Sequence, residues 1–326
     1  MADEYDDLQT QLVERRTRLQ RAISEFDENS DFIILLAEVD AALERVNDGT
    51  YGVCEDCHEA IEADRLQVDP LLRLCLDHLT SSQKEELERD LSLASRIQDA
   101  LLPENDLVLD GWEVFYHYEP AGPVSGDYCD LVEIDNDSGA SLVIVGDVSG
   151  KGIAASMIMS HMHAMFHSLV ALDLPISELM ERVNRLVCES TPSPQHATLV
   201  LGKLSRSGIV EICNAGHWAP LLTQGNEVTR LKATGLPVGL FCNSQYSVNE
   251  FEMSRGDSLL LYTDGLHEAR KEGNEYGEDR VARLASELHT LQPQELIEAF
   301  LKDVTGFLSG TSKTDDLTMM AIQRVK

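Results

Sequence analysis

The sequence predicts an α+β chain: a helical, cysteine-bearing N-terminal stretch followed, from about residue 108, by a mostly antiparallel β sandwich with helices segregated to its faces. Three observations predict it. From Trp112 onward, short apolar runs alternate with turns: WEVFYHYEP, YCDLVEI, SLVIVGDV, HATLVLGKL, GIVEICNAG, SLLLYTDG and LTMMAIQRV. Two helical stretches, 153–171 and 176–189, fall between these runs, and two more follow Gly277. The first 48 residues, by contrast, carry only the helical period.

Composition bounds the function classes. The 326 residues are 43% apolar, enough for two or three packed domains. Acidic residues outnumber basic ones, 57 to 26, for a formal charge of -31. Such a surface repels polyanions, which argues against non-specific nucleic-acid or acidic-membrane binding. No apolar run approaches the roughly 20 residues of a membrane span. The start MADEYDD has neither the basic region nor the apolar core of a signal peptide, so a cytoplasmic protein is expected. Seven cysteines, an odd number, argue against a disulfide framework.

In chain order, Leu8, Leu12, Leu19 and Ile23 mark one helix, and Ile33, Leu36, Val39, Leu43 and Val46 a second. The polar EFDENSD between them is placed to cap the second helix of a hairpin. Cys54 and Cys57 then flank two residues, as do Cys75 and His78, with a spacer suited to a structural zinc site. His58, adjacent to Cys57, would strain such a knuckle and reads as surface. A third helix is expected over 80–103. Leu87, Leu91, Ala94 and Leu101 fall near heptad spacing, interrupted by Gln98, which suits a dimeric coiled coil or a helix docked on the next domain; dimerisation is the preferred reading. The expected organisation is 1–79 helical hairpin with zinc finger, 80–107 helical linker and 108–326 β-sandwich domain.

The stretch VGDVSGKG, Val145 to Gly152, ends an apolar strand and opens a helix. Taken alone, Asp147 has three readings: turn former, phosphate-loop neighbour or metal ligand. Asp127, Asp147, Asp264 and Asp315 all lie at ends of strand-like runs, where separate strands can converge. Carboxylates gathered there would repel one another, and a hard divalent cation resolves that repulsion. Other constellations are weaker. GxSxG is absent, and Cys129 has no evident His partner. Lys151 lacks the full phosphate-loop pattern, with Ile153 at the hydroxyl position. His161, His163 and His167 have near-helical spacing. Their helix is Met-rich and offers no carboxylate, so they read as packing or surface.

Two resemblances extend this reading. ALERVNDGTYGVCEDC and IEADRLQVDPLLRLCLDH resemble the zinc finger of DksA/TraR-type bacterial proteins, with His78 in place of a fourth cysteine. This implies a bacterial protein, one structural Zn2+ on Cys54, Cys57, Cys75 and His78, and an alternative function as a transcription-associated RNA-polymerase-binding protein. Asp27, Glu28 and Asp31 would then be candidates for an acidic coiled-coil tip. SGDYCD, VIVGDVSGKGIAASMIMS, NAGHWAPLL, GLPVGL, GDSLLLYTDGLHEARKEGNEYG and TDDLTMMAI resemble the PPM-type metal-dependent serine/threonine phosphatases of the SpoIIE/RsbU-like branch. ASRIQDALLP is similar to the linker ahead of such domains.

The second resemblance implies two antiparallel sheets packed between helices, an α-β-β-α sandwich, with two Mn2+ or Mg2+ ions at one edge. Asp147 would bridge both ions and the Val148 carbonyl would add a ligand. Asp127 would complete one shell, and Asp264 with Asp315 the other. Asp130 and Asp316 would serve through water or be structural, and His217 would be positional. The implied activity is hydrolysis of phosphoserine or phosphothreonine on a regulatory protein, a STAS-type anti-sigma-factor antagonist, under control of the zinc module. The arginine that grips phosphate in eukaryotic relatives has no counterpart at the matching place.

Overall fold

The computed structural model describes residues 6–25, 30–62, 65–66, 69–79, 81–104, 108–134, 139–191, 195–271, 273–310 and 315–326. The chain divides into two compact units, Met1–Asp90 and Leu91–Lys326.

In the N-terminal unit, α1 (Asp6–Glu25) packs on α2 (Ser30–Asp48). Leu8, Leu12 and Leu19 of α1 meet Val39 and Ala42 of α2, and the same core takes in Tyr51, Cys54, Ile61, Leu66 and Cys75. The hairpin and the cysteine knuckles therefore share one apolar cluster, and neither buries its face without the other. Arg16 Nε pairs with Asp40 Oδ1 at 2.7 Å across the hairpin. Arg45 of α2 donates to the carbonyls of Leu71 and Leu72, and Tyr51 donates its hydroxyl to the Pro70 carbonyl at 2.9 Å. The expected capping of α2, the tip residues Asp27 and Glu28, and the side chain of Asp31 lie outside the described residues.

Helix α3 (Ser81–Asp99) follows. Gln98, which breaks its heptad pattern, is 3% exposed. Its amide nitrogen donates to the Ser125 carbonyl at 2.7 Å while its amide oxygen accepts from the Ser125 N–H at 2.9 Å. A residue that looks like a flaw in a coiled-coil seam is thus the dock between the end of this helix and a loop of the C-terminal unit.

That unit is built on two antiparallel sheets, with a separate two-stranded ladder of β11 (Arg270–Lys271) and β12 (Asn274–Glu275). One contains β1 (Val108–Leu109), β2 (Trp112–Glu119), β7 (Leu221–Gln224), β8 (Glu227–Arg230), β10 (Ser258–Tyr262) and β13 (Leu317–Arg324), in the order β1-β2-β13-β10-β7-β8. The other contains β3 (Asp127–Glu133), β4 (Ser141–Val148), β5 (Ala197–Leu204), β6 (Ile209–Ala215) and β9 (Asn249–Glu252), in chain order. Val143 and Val145 of β4 face Leu259, Leu261, Met320 and Ile322 between the sheets. Leu142 and Ile144 point the other way, into a cluster with Met159, Met162 and Phe166 of α4 (Gly152–Leu169) and Leu179 and Val183 of α5 (Ile176–Ser190). Both faces of β4 are buried, which is why SLVIV reads as unbroken apolar sequence. The outer face of the first sheet, through Leu260, Tyr262, Met319 and Ala321, is covered by α7 (Glu278–Glu287) and α8 (Pro293–Leu308).

The layers are therefore helix, sheet, sheet, helix. All seven strand-like runs of the sequence are strands. The strands that sequence patterning did not single out are two to four residues long, and the four-residue β8 and β9 are edge strands without a clean apolar alternation. No helix among the described residues is long and apolar enough to cross a membrane.

Replacing Gln98 removes the partners of both the N–H and the carbonyl of buried Ser125. Gln98→Ala is expected to destabilise the C-terminal unit by about 1–3 kcal/mol in urea denaturation, the cost of leaving buried polar groups unpaired.

Candidate functional site

The register of the β3–β4 ladder sets Asp127 directly opposite Asp147. Beyond Val148 the chain turns through Gly150 and Gly152, at φ 93° and 73°, and enters α4. Side chains other than glycine rarely adopt those angles, so the two glycines permit a strand to become a helix within a few residues. Asp264 opens the short helix α6 (Asp264–His267) immediately after β10, and Asp315 lies just ahead of β13, the partner of β10. A Cβ on Gly265 would overlap the Asp316 carbonyl, so glycine is what lets α6 approach the start of β13 this closely.

Asp127 is 1% exposed. Its Oδ2 accepts hydrogen bonds from Thr263 Oγ1 at 2.9 Å and Thr318 Oγ1 at 2.6 Å, while Thr263 Oγ1 accepts from the Thr318 N–H at 3.0 Å. The two threonines, one from each of the paired strand ends, fix the carboxylate's direction. Sequence reasoning missed both. Their one local signal is a hydroxyl in otherwise apolar runs, at Thr263 beside Asp264 and at Thr318 inside β13. Asp316 accepts the Ala121 N–H on Oδ1 at 2.7 Å and the Gly126 N–H on Oδ2 at 3.0 Å, which makes it a clamp on the loop entering β3. Asp130 is turned toward α4.

The electrostatics couple the four carboxylates. Burial, then the charges of Asp264, Asp315 and Asp316, push Asp147 from an ordinary 3.8 up to about 7. Burial, then Asp315 and Glu268, push Asp264 up to about 6. Burial, then Asp147, hold Asp127 well above its ordinary value. Lys151 Nζ, 2.9 Å from Asp315 Oδ2, supplies a partial counter-charge. A site whose Asp127, Asp147 and Asp264 are pushed up by burial and then by neighbouring negative charge suits a hard divalent cation. The Val148 carbonyl lies beside Gly126 at the same strand end. His217 is no part of this set. Its Nε2–H donates to the Tyr262 carbonyl at 3.1 Å, its Nδ1 meets Thr198 Oγ1 at 2.8 Å, and burial lowers it to about 4, so it is a neutral brace between strands. Cys129 is buried and its thiol is pushed well above the ordinary value by burial.

The second constellation lies in the N-terminal unit. The ligand atoms of Cys54, Cys57, Cys75 and His78 all fall within 4.8 Å of one another. Cys57 Sγ is 3.8 Å from Cys75 Sγ, and Cys75 Sγ is 3.1 Å from His78 Nδ1, spacings that suit ligands around one tetrahedral ion. Against the effect of burial, backbone amides of Cys57, Cys75 and Asp56 bring the Cys54 thiol down to about 6, toward the thiolate that zinc requires. His58 is exposed at a left-handed φ of 61° and takes no part.

Residues 137–325 match the family described as Stage II sporulation protein E (SpoIIE), and residues 49–77 match the prokaryotic dksA/traR C4-type zinc finger. The zinc-finger match stops one residue before His78, the ligand that departs from four cysteines. Protein IcfG of Synechocystis sp. is 26% identical over 265 residues, which cover 72% of this chain and 41% of IcfG. The phosphoserine phosphatase RsbU of Bacillus subtilis is 23% identical over 244 residues, covering 74% of this chain and 72% of RsbU. Among solved structures, the RsbU and RsbW domains of a Mycobacterium tuberculosis protein align with a TM-score of 0.58 at 27% identity, covering 69% of this chain and 62% of that one. The chain thus spans less than half the length of IcfG.

The raised carboxylates predict a pH dependence for metal-free protein. Native Asp147 and Asp264 hold protons more tightly than the unfolded chain, so their contribution to stability is full below about pH 4 and is lost as pH rises through about 6 and 7. In chelator at pH 8, Asp147→Asn should therefore melt higher than the unaltered protein, by roughly 2–4 °C for each kcal/mol of repulsion removed, and at pH 4 the difference should vanish.

Proposed function

The chain belongs to the Stage II sporulation protein E (SpoIIE) family, and from that membership we propose that it is a Mn2+- or Mg2+-dependent protein phosphatase that hydrolyses phosphoserine or phosphothreonine on a partner protein. The observation that carries this reading is the coupled carboxylate set at the strand ends, with Asp147 raised by its acidic neighbours.

In this reading Asp127, Asp147, Asp264 and Asp315, with the Val148 carbonyl, would hold the ions, Asp147 being the carboxylate shared between them. The ions, when bound, activate water as a nucleophile and neutralise charge on the transferring phosphoryl group. The chain's own residues prepare that site. Thr263 and Thr318 lock Asp127, and Asp316 clamps the loop before it. Lys151, on the glycine turn and mostly solvent-exposed, adds positive charge that favours a phosphate dianion in an otherwise acidic surface. Cys129 is buried with its thiol pushed up, and His217 is neutral and engaged on both nitrogens, so neither is arranged as a covalent nucleophile.

The substrate we propose is a small phosphorylated STAS-type regulatory protein, supported by the similarity to RsbU. Because no arginine replaces the eukaryotic phosphate clamp, the substrate's folded surface supplies much of the recognition. We also propose that the zinc module, holding Zn2+ on Cys54, Cys57, Cys75 and His78, regulates the phosphatase domain through α3, and that a contact with RNA polymerase is a further use of that module. Leu93 and Ile97, 50% and 55% exposed and four residues apart on α3, support homodimerisation through that helix. The acidic composition and the zinc-binding thiols fit the cytoplasm.

Full-length protein with Mn2+ is expected to release phosphate from a phosphoserine STAS protein. Asp147→Asn should lower kcat by roughly 10²–10³-fold or more, the scale of losing a principal electrostatic element of the site. Unchanged turnover in that variant would overturn the assignment.

A further inference from the structure

Asp130, His163 and His167 form a second cluster of metal-ligand type, separate from the carboxylate set. Along β3, Tyr128 joins the core beneath α4 while Cys129 joins the core between the sheets. Strand alternation places Asp130 with Tyr128 on the α4 side and Asp127 with Cys129 on the other. His163 and His167 sit four residues apart on α4, hence on one helix face. In the linear sequence these histidines have no acidic companion; the fold supplies one from the neighbouring strand.

The contacts converge on one oxygen. Asp130 Oδ2 lies 3.2 Å from His163 Nδ1 and 2.9 Å from His167 Nε2, and it accepts the Tyr128 hydroxyl at 2.7 Å. Oδ1 accepts the Leu131 N–H at 2.8 Å, so the carboxylate's orientation is fixed from the protein side. The imidazole rings lie 4.1 Å apart, tilted by 32°. Hydrogen bonding satisfies only part of this cluster. His167 Nε2 makes a hydrogen bond to Asp130 Oδ2, while His163 Nδ1, buried and 3.2 Å from the same oxygen, is poorly aligned for one. Ligands about 2.0 Å from a tetrahedral ion stand about 3.3 Å from one another, close to the spacing found here. The Asp130 side chain is 3% exposed and that of His167 is 42% exposed, which leaves the cluster solvent access on one side.

We propose that Asp130 Oδ2, His163 Nδ1 and His167 Nε2 bind a Zn2+-class ion that staples α4 to β3. Two imidazoles with one carboxylate are the donors of an open zinc site, with a fourth position for water. Hard Mg2+ prefers all-oxygen sets, so this cluster and the carboxylate set select different ions. Tyr128 is the outer partner that orients the carboxylate. Because α4 begins at the glycine turn after Val148 and β3 begins at Asp127, an ion here fixes the two elements that carry those residues. The inference stands apart from the phosphatase reading and rests on this cluster alone.

The test is zinc stoichiometry and affinity in full-length protein held in saturating Mg2+, so that Zn2+ is kept from the carboxylate set. Two zinc equivalents per chain are expected, one on the cysteine knuckles and one here. His167→Ala, at an exposed position that leaves folding intact, and Asp130→Asn should each retain one equivalent and lose the part of the zinc-induced rise in melting temperature that Cys54→Ser retains. Tyr128→Phe should weaken the second equivalent by about 10–100-fold. Cys54→Ser should remove only the other equivalent, and Asp147→Asn neither. A single equivalent in the unaltered protein, or two in His167→Ala, would overturn the proposal.

Discussion

Asp127 and Asp147 face each other across the β3–β4 ladder, with Asp264 and Asp315 brought up by the neighbouring β10–β13 pair. Carboxylates so placed cannot all ionise near neutral pH without a counter-charge, and Asp147 and Asp264 are pushed up accordingly. The surrounding structure keeps them together despite that cost. Two sheets buried on both faces fix the strand ends, Thr263 and Thr318 hold Asp127, and Lys151 partly offsets Asp315. A fold that maintains like charges at one edge is poised for cations. That constraint links the sandwich architecture to the proposed phosphoryl chemistry.

Much of this was legible in the sequence because it rests on local patterns. SLVIV and LTMMAIQ are apolar on both faces, which marks central strands of a layered domain, and each candidate aspartate sits at the end of such a run. The cysteine knuckles were legible for the same reason, since two paired ligands a short spacer apart need no distant partner. What escaped depends on contacts between residues far apart in the chain. Gln98 looked like a fault in a heptad until Ser125 satisfied both ends of its amide. The threonine pair around Asp127 joins β3 to β10 and β13, and no local spacing announces it. Asp130, read from the sequence as serving through water or as structural, is turned by strand alternation to the face opposite Asp127, where His163 and His167 meet it. Edge strands such as EVTR and NEFE escaped because half-exposed strands need not alternate cleanly.

The chain combines donor sets of different hardness. Thiolates and an imidazole at Cys54, Cys57, Cys75 and His78 suit zinc, and the aspartates at the sandwich edge suit Mg2+ or Mn2+. In the N-terminal unit the ligand cysteines Cys54 and Cys75 are also core residues, so metal occupancy and packing of the hairpin are one equilibrium. In the C-terminal unit the Gln98–Ser125 dock lies two residues from Asp127, whose N–H donates to Ser125 Oγ at 3.0 Å. A short, hydrogen-bonded path therefore runs from the end of α3 to a proposed metal ligand, and it gives the regulatory reading a physical route.

The most direct test of the central claim is a crystal structure of the Mn2+-loaded protein with anomalous scattering recorded at the manganese edge. Two anomalous peaks flanking the Asp147 carboxylate, one also bounded by Asp127 and the other by Asp264 and Asp315, are the predicted result. Peaks absent from this edge of the sandwich, or a single ion that leaves Asp147 uncoordinated, would contradict it.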